Sequence, residues 1–225
     1  MKRITVLLAE DHQIVREGFR SLLEHESDIE VVGEAETGRQ AVQLTRKLRP
    51  SVVVMDIAMP LLNGLEATRQ IRKDFPETKV LILSAHNDDA YVEQATVLGA
   101  AGFLLKQTSS HELGTAIRAI HGGKTFFSAS VIKRVQDRSR KSLSRNGELK
   151  KKNNSLSSRE VEVLQLIAEG KANKQVASEL GVSFKTVDKH RQHLMSKLNI
   201  HDIAGLTRYA IAEGIIESSV RVTIT

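Results

Sequence analysis

The chain has 225 residues, of which 40% are hydrophobic and 27% charged, a composition typical of a soluble globular protein with one large domain or two of ordinary size. It contains no cysteine, which excludes disulfides, thiolate metal sites and thiol catalysis. No apolar stretch approaches the length of a membrane span, and the amino terminus is too short in its apolar part for a signal peptide, so we expect a cytoplasmic protein that binds no membrane.

Short apolar runs alternate with segments of helical spacing in roughly the first 120 residues. The runs predict strands at Ile4–Ala9, Ile29–Ala35, Val52–Met55, Val80–Leu83 and Gly102–Leu105. Helical spacing follows the first run at 15–23 and recurs at 41–48 and at about 65–74, 90–98 and 110–121. Alternation of strands and helices predicts βαβ units, and hence a doubly wound parallel sheet of five strands with helices on both faces.

The pattern changes at about residue 128, where the strands end. Arg138–Asn154 is basic, polar and nearly devoid of apolar residues, which predicts a flexible linker. A last helical stretch through Val131, Ile132 and Val135 is the alternative for the residues that precede this linker. From Ser157 onward the pattern is helical, opening with a Ser157–Glu160 capping box. Further helices are predicted at about 173–180, about 184–198 and after Asp202.

The net charge of +6 is unevenly distributed. Residues 1–128 carry 15 Lys and Arg against 17 Asp and Glu, whereas residues 129–225 carry 18 against 10. This basic second part suggests nucleic acid as a partner. However, nine of its basic residues lie between Lys133 and Lys152, so charge alone does not establish DNA binding.

Polar residues stand where the predicted strands end. Carboxyl ends of parallel strands lie along one edge of a sheet, so these residues should meet there although they span almost 100 positions: Glu10, Asp11, Asp56, Ser84 and Lys106. Three neighbouring carboxylates would repel one another unless a cation neutralised them, and Mg²⁺ suits oxygen ligands beside a phosphate. Asp56 could then attack phosphorus, while Lys106 and Ser84 stabilise the transferred group.

Each of these residues also has a purely structural explanation. Asp56 could cap the turn after its strand, and Glu10 with Asp11 could cap the first helix. Ser84 could be an ordinary strand-end hydroxyl and Lys106 a surface lysine. Their convergence at one edge favours a phosphoryl-transfer site.

Residues 1–122 resemble the receiver domain of bacterial two-component response regulators. The segments that carry the resemblance are Leu8-Ala9-Glu10-Asp11-His12, Met55-Asp56-Ile57-Ala58-Met59-Pro60 with Gly64, Leu83-Ser84-Ala85, and Gly102-Phe103-Leu104-Leu105-Lys106. The resemblance implies a strand order of 2-1-3-4-5 and phosphorylation of Asp56 by a sensor histidine kinase. It also implies a Mg²⁺ site formed by Glu10, Asp11, Asp56 and the Ala58 carbonyl. It further implies a conformational switch formed by Ser84 and Phe103. Gln107 departs from the family, because many members have proline there.

The second half resembles a LuxR/NarL-type output domain, an all-α domain of four helices. The second and third helices are joined by Leu180-Gly181-Val182-Ser183, which is helix-turn-helix spacing, although periodicity alone would equally allow a generic helical bundle. The segments that carry the resemblance are Leu156-Ser157 with Arg159-Glu160, Glu162-Val163-Leu164, Ala168 with Gly170, Asn173-Lys174, Val176-Ala177, Thr186-Val187, His190 and Lys197-Leu198. The resemblance implies that the third helix enters the major groove of DNA.

Eight residues are predicted to contact DNA. By the family pattern, Asp188, Lys189 and Gln192 would reach base edges, with Lys189 addressing guanine and Gln192 adenine. The predicted phosphate contacts are Lys174, Lys185, Thr186, His190 and Arg191. His190 could instead be a structural residue beside the core. Asp188 replaces a frequent lysine, and we expect it to shape sequence preference rather than overall affinity.

These inferences predict a phosphorylation-dependent transcriptional regulator rather than an enzyme. The expected domains are a receiver at 1–122, a linker at 123–154, a DNA-binding domain at 155–216 and a tail at 217–225. The expected partners are double-stranded DNA, a sensor histidine kinase and a second copy of the chain on DNA, with Leu206, Tyr209 and Ala210 either at the dimer seam or in the core. A phosphatase of the haloacid dehalogenase type is a weaker alternative, because Ala58 stands where such enzymes usually carry a second acid. A constitutive DNA binder with a purely dimerising receiver is another.

Overall fold

A five-stranded parallel sheet organises the first part of the chain. The computed structural model describes residues 3–85, 89–107, 110–127 and 156–216. The strands pair in the order β2-β1-β3-β4-β5, which confirms the predicted topology. Their bounds lie within one residue of prediction: β1 Ile4–Ala9, β2 Ile29–Ala35, β3 Val52–Asp56, β4 Lys79–Ser84 and β5 Gly102–Leu105.

Helices cover both faces of this sheet, as the crossover connections of parallel strands require. They are α1 Gln13–Glu24, α2 Gly38–Leu48, α3 Gly64–Asp74, α4 Asp89–Val97 and α5 Ser110–His121. Two apolar clusters form the core, one containing Leu7, Val53 and Ile82 and the other Val6, Val54 and Leu81. Neighbouring residues of one strand therefore belong to opposite faces, and strands buried on both sides explain the continuous apolar runs.

The register of the strands brings their polar ends to one edge. Asp56 pairs with Leu83 across β3 and β4, and Ser84 pairs with Leu105 across β4 and β5. After β3 the chain turns back closely, because the Gly64 N–H donates to the Ile57 carbonyl at 2.8 Å. A Cβ added at Gly64 would lie 1.8 Å from the Asp56 carbonyl oxygen. Glycine at this position thus lets α3 begin directly beside Asp56.

The chain continues to pack on the sheet after α5. The Phe126 N–H donates to the Ala101 carbonyl at 2.9 Å, and the Phe126 carbonyl accepts from the Phe103 N–H at 2.9 Å. Residues up to 127 therefore extend the packing of the receiver beyond its predicted end at 122. The rest of the predicted linker, its helical stretch at 131–135 and the predicted tail at 217–225 lie outside the described residues.

The chain forms two compact units, and four helices make up the described part of the second unit. They are α6 Ser158–Ala168, α7 Asn173–Leu180, α8 Phe184–Leu198 and α9 Ile203–Ala212. The Ser157–Glu160 capping box is present at the start of α6. On α9, Leu206 and Ala210 are fully buried, which assigns both to the core rather than to a dimer seam. None of the described helices is long and apolar enough to cross a membrane.

Gly64→Ala should lower the free energy of unfolding by at least about 2 kcal/mol, because its methyl group would collide with backbone rather than with a flexible side chain. Gly18→Ala is the matched control, since an added Cβ there meets nothing within 4 Å and alanine favours helix α1 by up to about 1 kcal/mol. Urea unfolding of both variants measures the difference. Equal stability of the two variants would contradict the described packing around Asp56.

Candidate phosphoacceptor site and DNA interface

Four side chains meet at the carboxyl edge of the sheet. Glu10 and Asp11 follow β1, His12 comes next, and Asp56 ends β3. One ligand atom from each lies within 4.8 Å of the others. Glu10 and Asp56 are only 3% and 2% exposed, whereas Asp11 is half-buried. The structure thus brings together the three carboxylates that the sequence predicted to converge.

Lys106 places a positive charge among these carboxylates. Its Nζ lies 2.8 Å from Glu10 Oε2 and 3.0 Å from Asp56 Oδ2. It also donates a hydrogen bond to Glu10 Oε1 at 3.1 Å. Burial lowers the pKa of Lys106, but Asp56 and Glu10 together outweigh burial, so the net effect is a raised pKa. Lys106 is therefore a protonated partner of the acid cluster and not a free surface lysine.

The environment of Asp56 disfavours its charged form. Burial, followed by the nearby charge of Glu10, raises the pKa of Asp56 to about 6, against the opposing effect of Lys106. The two oxygens differ in their surroundings, because Oδ1 accepts a hydrogen bond from the Ile57 N–H at 2.8 Å. Asp56 Oδ2 is buried and lies 3.0 Å from Lys106 Nζ, at ion-pair distance.

Three buried carboxylate oxygens of this cluster fit a hard divalent cation. Among the described residues, Glu10 Oε2, Asp11 Oδ1 and Asp56 Oδ2 are buried without a hydrogen bond, although Lys106 or His12 approaches each at ion-pair distance. Carboxylate oxygens are the ligands that Mg²⁺ prefers, and it needs few of them. Ala58, whose carbonyl completes the predicted ligand set, is half-buried in the turn after β3.

The predicted switch residues lie beside this cluster. Ser84 is buried at the end of β4, and its backbone carbonyl accepts from the Lys106 N–H at 2.8 Å. Phe103 is buried in the same apolar cluster as Met55 and Ile82, with its ring packed inside the domain. Phe103 lies in β5 and Lys106 directly follows this strand, which pairs with the end of β4 at Ser84.

His12 was not predicted as a site residue. Its Nδ1 lies 3.0 Å from both Glu10 Oε1 and Asp11 Oδ1. The hydrogen bond to Glu10, and then the charge of Asp11, raise the pKa of His12. Its position directly after two acids was the available signal, because a histidine there must lie near both carboxylates.

The second unit contains the predicted helix-turn-helix. Gly181 ends α7 in the left-handed region at φ 61°, a conformation that glycine adopts without strain. Ser183 then caps α8, because its side chain accepts from the Thr186 N–H. On α8, Val187 and Leu194 are fully buried. On the other side of this helix, Lys185, Lys189 and Gln192 are exposed.

An open groove of about 560 Å³ lies along the first half of α8. Its lining is basic and polar: Ser183, Lys185, Thr186, Lys189, His190 and His193. Four of the eight predicted DNA contacts therefore share one surface, and His190 lines it instead of being buried with the core. His193 was missed, although its position three residues after His190 would have placed it on the same side of the helix.

The other four predicted contacts lie around this groove. Gln192 Nε2 donates to Asp188 Oδ2 at 3.0 Å, so two of the three predicted base contacts are joined to each other. Arg191 donates to Asn173 Oδ1 at 3.2 Å, which ties α8 to the start of α7. Lys174, in the first turn of α7, is exposed.

Comparison with known proteins identifies both parts of the chain by family. Residues 6–118 match the model for the response regulator receiver domain, and residues 154–210 match that for bacterial regulatory proteins of the luxR family. The transcriptional regulatory protein LiaR of Bacillus subtilis is 40% identical over 207 residues, covering 92% of this chain and 96% of LiaR. The chain belongs to the LuxR-family response regulators.

Solved structures of such response regulators align over nearly the whole chain. A structure of Salmonella typhimurium RcsB matches with 28% identity and a TM-score of 0.60, covering 95% of this chain and 99% of that one. A response regulator RcsB–DNA complex matches with 29% identity and a TM-score of 0.55, covering 92% and 98%. This response regulator therefore combines a receiver with a LuxR-type helix-turn-helix domain, and its family consists of DNA-binding transcription regulators.

In the absence of divalent cations, Asp56→Asn should raise the free energy of unfolding of this response regulator at pH 8 by up to about 3 kcal/mol. The pKa of about 6 in the folded state lies above the ordinary value of 3.8, so folding opposes ionisation of Asp56. The gain should be present above pH 6 and disappear as the pH falls below 4. Chemical denaturation at pH 8, 6 and 4 measures it.

Asp28→Asn is the matched control for this pH dependence. The hydrogen bond from Arg118 lowers the pKa of Asp28, so its ionised form favours folding. Removing that carboxylate should therefore reduce stability at pH 8, the opposite sign to Asp56→Asn. A stability difference for Asp56→Asn that does not change with pH would contradict the raised pKa.

Proposed function

We propose that this response regulator accepts a phosphoryl group on Asp56 from a sensor histidine kinase and thereby controls promoter binding through its helix-turn-helix domain. The observation that carries the proposal is the arrangement of Asp56 Oδ2, which is buried at the carboxyl edge of the sheet and lies 3.0 Å from Lys106 Nζ. We further propose that the protein acts in the cytoplasm, where promoter DNA lies, and binds that DNA as a homodimer.

The two oxygens of Asp56 suit a nucleophile. The Ile57 N–H holds Oδ1 and so fixes the orientation of the carboxylate, which leaves Oδ2 to attack phosphorus. A bond forms between Oδ2 and phosphorus while the bond from phosphorus to the kinase histidine breaks, and the histidine nitrogen leaves. Lys106 Nζ stabilises the negative charge on the phosphoryl oxygens throughout.

Glu10, Asp11, Asp56 and the Ala58 carbonyl would hold Mg²⁺. The convergence of their buried carboxylate oxygens supports this ligand set. When bound, the cation supplies charge neutralisation to the transferring phosphoryl group and to the carboxylates around it.

The switch would connect this chemistry to the rest of the receiver. The Ser84 hydroxyl would donate to a phosphoryl oxygen, and Phe103 would occupy the space behind it. Burial of the Phe103 ring in the described structure supports a pocket of suitable size. Phosphorylation would then favour one of two arrangements around β4 and β5.

We infer a regulator rather than a phosphatase. Ala58 supplies no carboxylate two residues after Asp56, where the general acid of such a hydrolase would be expected. A phosphorylated Asp56 should therefore persist long enough to act as a signal instead of being one step of a catalytic cycle.

The α8 surface would contact DNA. Lys185, Thr186 and His190 line the groove with Lys189, which suits contacts with phosphates and with guanine. Lys174 and Arg191 would add phosphate contacts from the neighbouring surface. The exposed Ile203 and Ile211 on α9 lie about two turns apart and support a second copy of the chain as the partner of that helix.

Incubation of the full chain with Mg²⁺ and a small phosphodonor should add the mass of one phosphate. Asp56→Asn should abolish this increase, because the amide nitrogen and oxygen are poor nucleophiles in this step. Asp11→Asn is the second variant and should greatly reduce the increase by weakening the cation site. Intact-protein mass spectrometry measures all three proteins. An unchanged mass increase in Asp56→Asn would show that the acceptor lies elsewhere.

Lys185→Gln should weaken binding to all DNA sequences and reduce the slope of log K against log salt by about one, because it removes one phosphate contact. Asp188→Ala should instead change the ranking of sequences, since it removes both a base-edge acceptor and the hydrogen bond that holds Gln192. Binding to a panel of DNA sequences at several salt concentrations separates the two effects. Uniformly tighter binding by Asp188→Ala, without altered preference, would refute its role in specificity.

A further inference from the structure

A buried arginine lies beneath the acid pair. Arg16 of α1 is 7% exposed, and its Nη1 donates to the backbone carbonyl of Glu10 at 2.7 Å. Its other nitrogens donate to two carboxylates, Nε to Glu34 at 3.1 Å and Nη2 to Glu36 at 2.8 Å. A planar guanidinium bonded at all three nitrogens has a fixed orientation, so its contact with Glu10 is also fixed.

The end of β2 holds the Glu10 backbone from both sides. The Glu10 N–H donates to the Ala35 carbonyl at 2.9 Å. Glu34 and Glu36, which flank Ala35, hold the guanidinium that binds the Glu10 carbonyl. The peptide groups before and after Glu10 are therefore both anchored by residues 34–36. Without Arg16 only the first of these anchors would remain.

We propose that Arg16 is a positioning residue that holds Glu10 and Asp11 in the geometry that binds the divalent cation. Glu10 is the first residue after β1, and its N–H still bonds to the Ala35 carbonyl of β2, whereas its own carbonyl accepts from Arg16 and Asp11 lies in the turn before α1. Partners that orient metal ligands typically change metal affinity 10–100-fold when they are removed. This inference rests on the proposed phosphoacceptor function, because it concerns the same cation site.

The alternative is that Arg16 contributes only to stability, and Arg20 provides the control for it. Arg20 lies one turn later on α1 and also pairs with Glu34, through Nη1. No hydrogen bond or ion pair in the described residues joins Arg20 to Glu10. Loss of Arg20 therefore removes a more exposed ion pair with Glu34, together with the pair that Arg20 makes with Glu24, and leaves the anchor on the Glu10 carbonyl in place.

The test uses the full chain and Mg²⁺ alone, titrated by calorimetry at a temperature where circular dichroism shows each protein to be folded. Arg16→Gln should raise the Kd for Mg²⁺ about tenfold or more. Arg16→Lys should lie between Arg16→Gln and the wild type, because an ammonium can retain the bond to Glu10 but not all three contacts. Arg20→Gln should change Kd less than about twofold. A Kd for Arg16→Gln equal to that of the wild type would overturn the positioning role.

Glu36→Gln covers the case in which Arg16→Gln does not fold. It weakens one hold on the guanidinium and keeps the arginine, so the Kd for Mg²⁺ should rise by more than in Arg20→Gln. An unchanged Kd in Glu36→Gln would then overturn the proposal. If the wild type binds Mg²⁺ and gains one phosphate while the Arg16 variant has an unchanged Kd, only the positioning role of Arg16 is refuted. If the wild type neither binds Mg²⁺ nor gains a phosphate, the proposed function is refuted as well.

Discussion

Three carboxylates at the edge of one sheet impose an electrostatic cost that the surrounding residues must offset. Glu10 and Asp56 are almost fully buried, and burial with mutual repulsion raises the pKa of Asp56 to about 6. Lys106 offsets part of this cost through its contacts with both acids. The same imbalance favours binding of a divalent cation, whose charge would in turn offset that of a phosphoryl group.

The two units solve different physical problems. In the receiver, reactive groups from distant parts of the sequence must be held within a few ångströms, which a rigid parallel sheet with tight turns at Gly64 provides. In the output domain, a short helix must present one polar side to DNA while its other side packs on neighbouring helices. The burial of Val187 and Leu194 on α8 meets that need locally. Phosphoryl-transfer chemistry and DNA recognition can therefore be altered by substitutions in different units of the chain.

Local patterns predicted most of the fold, whereas contacts between distant elements had to be observed. Apolar runs and helix caps are short-range features, so the strand ends, the β2-β1-β3-β4-β5 sheet and the Ser157–Glu160 capping box all followed from sequence or family resemblance. The bond from Arg16 to Glu10 and the pairing of Phe126 with β5 depend on how the helices and strands pack together. The periodicity of the sequence therefore could not predict these contacts. Leu206 and Ala210 show the same limit, because an apolar face of α9 fits a core and a dimer seam equally well until burial distinguishes them.

The central claim is that phosphorylation of Asp56 changes DNA binding, and a binding isotherm tests it most directly. Wild type and Asp56→Asn should be titrated against one promoter DNA at fixed salt, with and without Mg²⁺ and a small phosphodonor, while the oligomeric state is followed by light scattering. The phosphodonor should tighten binding and increase the dimer for the wild type only. Identical wild-type isotherms with and without the phosphodonor, and no gain in dimer, would contradict the claim.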